Sequence, residues 1–496
     1  MAEMLKLGFS ARRRREAWVT CAIAGLFGCS AGPNYVRPPV ETPSAYKEAQ
    51  GWKQAEPRDE QPRGNWWEAF NDPQLNALVT QVAITNQTIK AAEARVREAR
   101  ALTQAARAAF FPIVTANASA TRSGSGGGTR STSSGTTVTL GGVHNNYNVA
   151  LDVNWEIDLW GRVRRTVEAS EATAEASAAD LESAKLSAQA QLAEDYFLLR
   201  VQDAQIRLLN DTVVAYERSL QLTRNQYAVG VVGRADVAQA ETQLKSTQAQ
   251  AIDAAVQRAQ LEHAIAILIG KPPAEFSIAA EAVATEFPVI PVDLPSELLE
   301  RRPDIAAAER RAAAANAQIG VAEAAFFPSL TLSATGGFQS SVLSQLFTLP
   351  SRYWSLGPAL AQIIFDAGLR RAQTAQAVAT YDENVANYRQ TVLTGFQEVE
   401  DNLAAIKILE QEASVQDEAV KAARESLAIV LNQYRAGTAN YLAVVVIQAA
   451  ALNNERTALS ILGRRLTASV VLIKALGGGW KEAPAATADG ELGRRG

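Results

Sequence analysis

Apolar positions in two long stretches of this chain recur every seven residues. In the first stretch they are Leu192, Leu199, Ile206, Val213, Leu220 and Tyr227, and 207 residues later they are Val399, Ile406, Ala413, Val420, Leu427 and Tyr434. No proline interrupts residues 161–227 or 368–434. The pattern therefore predicts two uninterrupted helices of roughly 65–70 residues, each about 100 Å long. A strict seven-residue period further predicts that these helices pack and coil left-handed around their neighbours.

Outside the two heptad stretches, residues 147–158 alternate apolar and polar side chains with the period of a β-strand. The apolar series is Tyr147, Val149, Leu151, Val153, Trp155 and Ile157, and the polar series includes Asn148, Asp152, Asn154, Glu156 and Asp158. Neighbouring strand residues point to opposite faces, so one face is apolar and the other polar. This is typical of a tilted membrane strand between lipid and water, although a soluble sandwich shows the same alternation. We predict that Val153, Trp155 and Ile157 face lipid and that Asp152, Asn154 and Glu156 face an aqueous lumen.

The chain also contains an internal repeat. Ala-Ala-Phe-Phe-Pro at 108–112 recurs at 324–328, and Gln-Tyr-x-x-Gly at 226–230 recurs at 433–437. Each copy is predicted as a helix, two strands, a very long helix and a shorter helix. Repeat 1 is predicted at 73–270, with strands at about 113–123 and 146–158. Repeat 2 is predicted at 296–477, with strands at about 329–338 and 353–364. An equatorial linker at 271–295 joins the two repeats. The shorter helices, at about 73–109, 236–269, 296–325 and 440–475, have half the length of the rods and can stack end to end in pairs. The glycine-rich run 124–128 is interpreted as a surface loop.

Four strands per chain cannot close a barrel, and lipid does not tolerate an open sheet edge. The sequence therefore predicts a mainly α chain whose four strands join those of other copies in a transmembrane β-barrel. Two, three or four chains would supply 8, 12 or 16 strands, and the pattern does not choose among them.

The first 28 residues have the features of a signal peptide. Arg12 to Arg15 form a basic segment, and an apolar run at 18–27 is too short to span a bilayer. The run ends in Leu-Phe-Gly-Cys, which resembles a bacterial lipobox, so we predict that Cys29 becomes the lipidated N-terminus. An ordinary secretory signal with a chance cysteine is the alternative. Six prolines between 30 and 64 favour an extended strap at 29–72, and residues 478–496 are predicted to be a disordered tail.

Composition argues against several classes of function. The formal net charge is −4 and only two histidines, His144 and His263, are present. We find no nucleophile–base pair, no phosphate-binding loop and no cluster with metal-ligand spacing. Nucleic-acid binding, a metal site, a cofactor other than the lipid on Cys29, and enzymatic activity are therefore not expected.

Several motifs together carry a family resemblance. Residues 295–305 (Pro-Ser-Glu-Leu-Leu-Glu-Arg-Arg-Pro-Asp-Ile), 65–73, 155–162 and 270–273 resemble the signatures of TolC-like outer-membrane efflux factors of the OprM and NodT lipoprotein type. The resemblance implies a homotrimer with a 12-stranded barrel on a long antiparallel coiled-coil α-barrel. It also implies a periplasmic adaptor and an inner-membrane pump of the resistance-nodulation-division type. A type I protein-secretion duct is the alternative. A coiled-coil tethering lipoprotein would explain the heptads but not the two amphipathic strand pairs.

The same resemblance suggests a gate at the helix tips. In the family an aspartate–tyrosine link closes the coils, and Asp236 and Tyr434 stand at the matching positions, so a hydrogen bond between them is predicted. Asp236 could equally be a helix cap, followed by Gln239 three residues later. Related tips carry aspartates where this chain has Ala443 and Val446. An apolar constriction that involves Leu442 is therefore expected instead of an acidic ring.

Overall fold

The computed structural model describes residues 30–49, 65–131, 137–281, 288, 290 and 301–478. The predicted signal peptide, Cys29, and all but the first residue of the predicted tail lie outside these ranges. So do most of the predicted equatorial linker beyond residue 281 and the start of the second repeat.

The described residues form a mainly helical chain with one four-stranded sheet, as the sequence predicts. The helices are α1 (Pro73–Thr85), α2 (Gln87–Ala108), α3 (Arg162–Ala228), α4 (Arg234–Leu268), α5 (Pro303–Ala324), α6 (Leu369–Arg435) and α7 (Tyr441–Ala475). The strands are β1 (Ile113–Ser131), β2 (Thr137–Ile157), β3 (Ser329–Ser340) and β4 (Arg352–Ala361). Helices α3 and α6 have 67 residues each, about 100 Å of α-helix. None of the helices in the described part of the chain is long and apolar enough to cross a membrane.

The chain divides into two compact units. Within the described ranges, one comprises the residues up to 38, 97–175 and 309–386, and the other comprises those at 39–96, 176–308 and from 387 onward. The first unit contains the sheet, and the second contains the main apolar cores.

In the first unit the strands pair antiparallel in the order β1-β2-β3-β4. β1 and β2 are longer than predicted, because pairing continues through the glycine-rich run that we interpreted as a loop. Gly124 lies opposite Val143, and the register shifts between Ser125 and Gly128. Such an irregularity lets a glycine-rich strand stay paired despite its low strand propensity.

Both repeats use the same device where a strand gives way to a long helix. Asp158 accepts hydrogen bonds from the backbone N–H groups of Val163 and Arg164, and Asp366 accepts one from that of Arg370. These carboxylates satisfy amide groups that the first turn of a helix leaves without a partner. Both turns include a glycine with positive φ, at positions 161 and 368.

The predicted first helix is broken in two. Asn86 separates α1 from α2, because its side-chain oxygen accepts from the N–H groups of Thr88 and Ile89 and so starts a new helix. Its amide nitrogen donates to the carbonyl of Leu268 at 2.8 Å, at the end of α4. This contact attaches α2 to the end of α4. The second repeat has an equivalent joint, in which Arg302 donates to the carbonyl of Ala475 at the end of α7.

The second unit has two packed cores beside these joints. In one core, Leu192, Tyr196 and Leu199 of α3 are buried against α1 and α7 residues. In the other, Tyr388, Val392 and Val399 of α6 are buried with Ile305 and Leu472. The heptad positions are buried or half-buried except Tyr227, which is 44% exposed at the end of α3.

A buried ion network fixes the segment that follows α4 in this unit. Arg200 donates to Asp203 and to the carbonyl of Ala279, and Arg258 donates to Asp203 and to the carbonyl of Ile278. Because the side chains of Arg200 and Asp203 are both 2% exposed, their charges depend on the ion pairs of this network for compensation.

Candidate functional site

The first candidate site is the polar face of the sheet. Asp152 lies opposite Thr115 on β1 and Thr335 on β3, at the centre of this face. Its carboxylate accepts from Asn117 Nδ2 and Thr335 Oγ1, both at 2.6 Å. Further along the same face, Ser333 donates to Asn154 at 3.0 Å and Tyr353 to Asn148 at 2.9 Å. These bonds join all four strands through hydrophilic side chains.

The three acidic residues near the helical end of β2 differ in their partners. Glu156 forms a two-point ion pair with Arg162, at 2.9 and 2.6 Å, and Asp158 pairs with Arg164 at 3.2 Å. Asp152 is hydrogen-bonded only to neutral side chains. The net negative charge of the polar face is therefore concentrated at Asp152, which the alternation alone could not distinguish from Glu156.

The opposite face of the sheet is apolar, and its side chains are half-buried or exposed. It carries Val153, Trp155 and Ile157 of β2 together with Leu332, Ala334, Leu356 and Leu360 of the neighbouring strands. Leu356 is 65% exposed and Leu360 is 69% exposed. Trp155 also donates its indole N–H to the carbonyl of Phe110 at 2.9 Å, so its polar atom is satisfied at the end of the sheet. The structure thus separates the two predicted triplets onto opposite faces.

Aromatic side chains collect where the strands meet the helices. Trp160 stacks on Phe327 with ring centroids 4.8 Å apart and donates to the carbonyl of Pro328 at 2.8 Å. The N-terminal strap reaches this point, because the N–H of Ala31 donates to the carbonyl of Trp160 at 2.9 Å. Arg165 holds the strap further through the carbonyls of Ala31 and Gly32.

The second candidate site is the helical tip, which we define as the α3–α4 and α6–α7 turns with their flanking helix ends. Both long helices end at a glycine with positive φ, Gly230 at +77° and Gly437 at +76°. A residue with a side chain would be strained there, so glycine permits the sharp reversal. Asn440 caps α7 and accepts from the N–H of Ala443 at 3.0 Å.

The hydrogen bond predicted between Asp236 and Tyr434 differs from the bonds in the structure. The Tyr434 hydroxyl lies 2.9 Å from Thr223 Oγ1, and both residues are buried. Asp236 instead accepts from the N–H of Gly233, as the third residue of α4 rather than as its cap. Burial raises the pKa of Tyr434, the bond to Thr223 opposes the rise, and the negative charge of Asp236 adds to it. The carboxylate of Asp236 bonds the N–H of Gly233 because the N–H groups at the start of a helix otherwise have no partner.

Thr223 is therefore a functional candidate that sequence reasoning missed. It lies four residues before Tyr227 on α3, and nothing in the local pattern distinguishes it from the other polar residues of that helix. Tyr434 further contacts Tyr441 with ring centroids 5.4 Å apart, within a cluster that includes Leu220 and Val444.

The predicted gate residues Leu442 and Val446 are on one exposed face of α7. They are 56% and 57% exposed, and their spacing of four places them one above the other. Tyr441 and Val444 point instead into the buried cluster. The structure thus presents an apolar surface where a gate is predicted. In the described residues no group of histidine, cysteine or acidic side chains could hold a metal ion.

A two-faced sheet joined to very long paired helices defines a class of envelope channel, and comparison with known proteins identifies the family. The family described as outer membrane efflux protein matches residues 78–271 and 294–478, and this chain belongs to it. It is accordingly an outer-membrane component of an efflux pump, with a role in transport.

Relatives and solved structures agree with this assignment. The toluene efflux pump outer membrane protein TtgC of Pseudomonas putida is 32% identical over 467 residues, which cover 94% of this chain and 95% of TtgC. The probable outer membrane lipoprotein SilC of Salmonella typhimurium is 29% identical, with 92% and 97% covered. The outer-membrane channel OprN superimposes with a TM-score of 0.84 at 32% identity, over 91% of this chain and 100% of OprN. The open state of Neisseria gonorrhoeae MtrE gives a TM-score of 0.79 at 30% identity, over 91% and 99% of the chains.

Proposed function

We propose that three copies of this chain form a passive duct through the outer membrane and periplasm, fed by an inner-membrane pump through an adaptor protein. The observation that carries the proposal is the open sheet. Among the described strands, β1 and β4 each pair on one side only, so each presents an edge to a further strand. An edge is not tolerated in lipid, and joining β4 of one copy to β1 of the next removes every edge. The number three, which gives 12 strands, comes from the family resemblance.

The helices support a closed ring of copies in the same way. α4 has exposed Ile252, Val256 and Ile267, and α6 has exposed Leu393, Ile408, Val415 and Ile429. These two apolar faces are on different helices, so a contact between them is head-to-tail rather than self-complementary. Head-to-tail contacts generate rings when the rotation closes.

The polar and apolar faces of the sheet fit this assembly. The apolar face with Trp155 and Leu356 would meet lipid, and the face with Asp152 and Asn154 would line the water-filled lumen. The relatives' names mention toluene, solvents and antibiotics, which favours small organic compounds over proteins as the cargo. A pump of the resistance-nodulation-division type fits such cargo.

The strap supports lipidation at Cys29. Ala31 is bonded at the aromatic end of the sheet, and two residues span about 7 Å at most. A lipid on Cys29 would therefore enter the membrane close to where the sheet enters it. At the helical tip, Leu442 and Val446 would form an apolar constriction that excludes water.

Cysteine cross-linking tests the assembly. In a Cys29→Ala background, Ala116→Cys on β1 is combined in turn with Trp354→Cys, Leu356→Cys or Pro358→Cys on β4. All four positions are on the apolar face, so oxidation of a correctly matched pair should give a covalent trimer on denaturing gels. Leu151→Cys on the interior strand β2, combined with the same β4 positions, is the control and should not link chains. If the largest cross-linked product contained two or four chains, the trimer would be refuted. If no cross-linked product formed and planar bilayers showed no conductance, the duct would be refuted.

A further inference from the structure

The apolar face of the sheet carries two arginines at the end remote from the helices. Arg352 begins β4 and lies opposite Phe338, and Arg122 of β1 lies opposite Asn145. Counting by twos along each strand places both on the same face as Trp354 and Ala116. Both arginines are exposed.

Neither arginine has a counter-charge on that face. The acidic residues of the described strands are Asp152 and Glu156, and both belong to the polar face. The side chains of Arg352 and Arg122 have no hydrogen bond or ion pair among the described residues. A guanidinium at the centre of a bilayer costs about 2–4 kcal/mol on the lipid face of a barrel, and the cost falls to about 0–1 kcal/mol near the interfaces. The two arginines therefore indicate the outer boundary of the apolar band.

The dimensions of the sheet agree with that position. The apolar rows run from Ile157, Leu330 and Leu360 at the helical end to Val149 and Phe338, and the next row contains Tyr147 and Ser340. Ten residue steps from Ile157 to Tyr147 measure about 33 Å along the strand, or about 25 Å across the membrane at a tilt near 40°. This equals the height of the apolar band of outer-membrane barrels. Arg352 and Arg122 occupy the rows on either side of Tyr147.

Aromatic side chains surround the same boundary. Trp354 is 75% exposed two residues from Arg352, and Phe338 contacts Phe347 with ring centroids 5.6 Å apart. An aromatic girdle of this kind is found at the level of the lipid headgroups. The arginines are thus within reach of headgroup phosphates, and the planar guanidinium suits two-point hydrogen bonding to phosphate.

We propose that Arg352 and Arg122 bind the phosphates of outer-leaflet glycolipid, the bisphosphorylated lipid A portion of lipopolysaccharide. The inference rests on the proposed orientation of the sheet in the outer membrane. With lipid-facing residues this basic and no acidic residue beside them, the sheet recruits an anionic lipid shell at its outer rim. That shell supplies the charge that the protein lacks.

Lipid preference in reconstituted protein tests the proposal. The full-length protein is placed in phosphatidylcholine nanodiscs that contain increasing amounts of bisphosphorylated lipid A, and displacement of brominated phosphatidylcholine is followed by tryptophan fluorescence. Wild type should prefer lipid A over phosphatidylcholine, and Arg122→Gln/Arg352→Gln should lose at least tenfold of that preference, because each basic residue contributes about fivefold. Arg352→Lys should keep more of the preference than Arg352→Gln. Arg389→Gln, at an exposed position on α6, removes one positive charge, as Arg352→Gln does, but away from the sheet. It should have no effect on the lipid preference.

Four results would overturn the proposal. Three are an unchanged preference in the double variant, equal binding of dephosphorylated lipid A by wild type, and an equally strong preference for phosphatidylglycerol. The fourth is displacement of lipid A by inorganic phosphate, which would point to a free anion site instead. Insertion and conductance are recorded in parallel. A wild-type protein that neither inserts nor conducts would contradict the proposed duct. A wild-type protein that inserts and conducts, together with an unchanged lipid preference in the double variant, would contradict only the binding of lipid A.

Discussion

The side chain of Trp155 tests which face of the sheet meets lipid. Trp155→Arg places a charge on the apolar face and removes the indole N–H bond to Phe110, so it should impair assembly. The cost should be below the about 2–4 kcal/mol of a midplane position, because Trp155 lies one row from the helical end of the apolar band. Asn154→Arg, one residue away on the polar face, should assemble normally. The yield of heat-modifiable oligomer on gels reports both. If Asn154→Arg were the damaging change, the faces would be assigned the wrong way round.

Asp152 and Glu156 should differ in their effect on ion selectivity. Because Arg162 already neutralises Glu156, Asp152→Asn should reduce cation selectivity more than Glu156→Gln does. Reversal potentials in asymmetric salt measure this. Equal effects of the two substitutions would mean that the Glu156–Arg162 pair does not persist in the assembled channel.

Leu442 is the gate residue with the sharpest test. Leu442→Ser should raise single-channel conductance, because a polar side chain admits water where a leucine ring excludes it. Val229→Ser, at an apolar position of the other turn of the tip that is also exposed, is the control and should leave conductance unchanged. The wild-type conductance should also respond little to calcium. Strong block by divalent cations would show that an acidic ring forms the gate.

Among the elements, α3 contains a buried carboxylate that lowers the free energy of unfolding at neutral pH. Asp195 is 8% exposed, and burial raises its pKa while a hydrogen bond from Gln191 opposes the rise. The folded protein therefore binds more protons than the unfolded chain, and stability falls as the pH rises from the unfolded pKa through the folded one.

Asp195→Asn keeps an oxygen for Gln191 and removes the buried charge. It should raise the unfolding temperature at pH 7, and the gain should disappear below the pKa of the unfolded carboxyl. Asp211→Asn, an exposed position on the same helix, provides the control for the loss of one charge. An unfolding temperature that fell at pH 7 would mean that the carboxylate has a stabilising partner in the assembly.

For the complete channel, lipid and sheet should anchor independently. Palmitate labelling should mark wild type but not Cys29→Ala, because only the lipobox cysteine accepts the lipid. We expect the unlabelled variant still to insert, since the assembled sheet buries a large apolar band in the membrane. Equal labelling of the two proteins would eliminate the lipoprotein assignment, and failure of the variant to insert would show that the lipid guides assembly.

The sequence alone determined the kinds and lengths of element. Period seven without proline specified α3 and α6 to within one residue at each end, and period two specified which β2 residues share a face. Both periods follow from local backbone geometry, which repeats along a chain regardless of what lies across from it. The family motifs supplied the class of transporter.

Tertiary structure decided what depends on partners distant in the chain. The break at Asn86 is linked to a carbonyl 182 residues away, and Tyr434 found Thr223 rather than Asp236. Glycine at 124 stayed in a strand because β2 lies beside it, and the charge of Glu156 is balanced by Arg162, which lies beyond the strand end. A hydrogen-bonding side chain has several possible partners of similar chemistry, and only the packed fold brings one of them within about 3 Å.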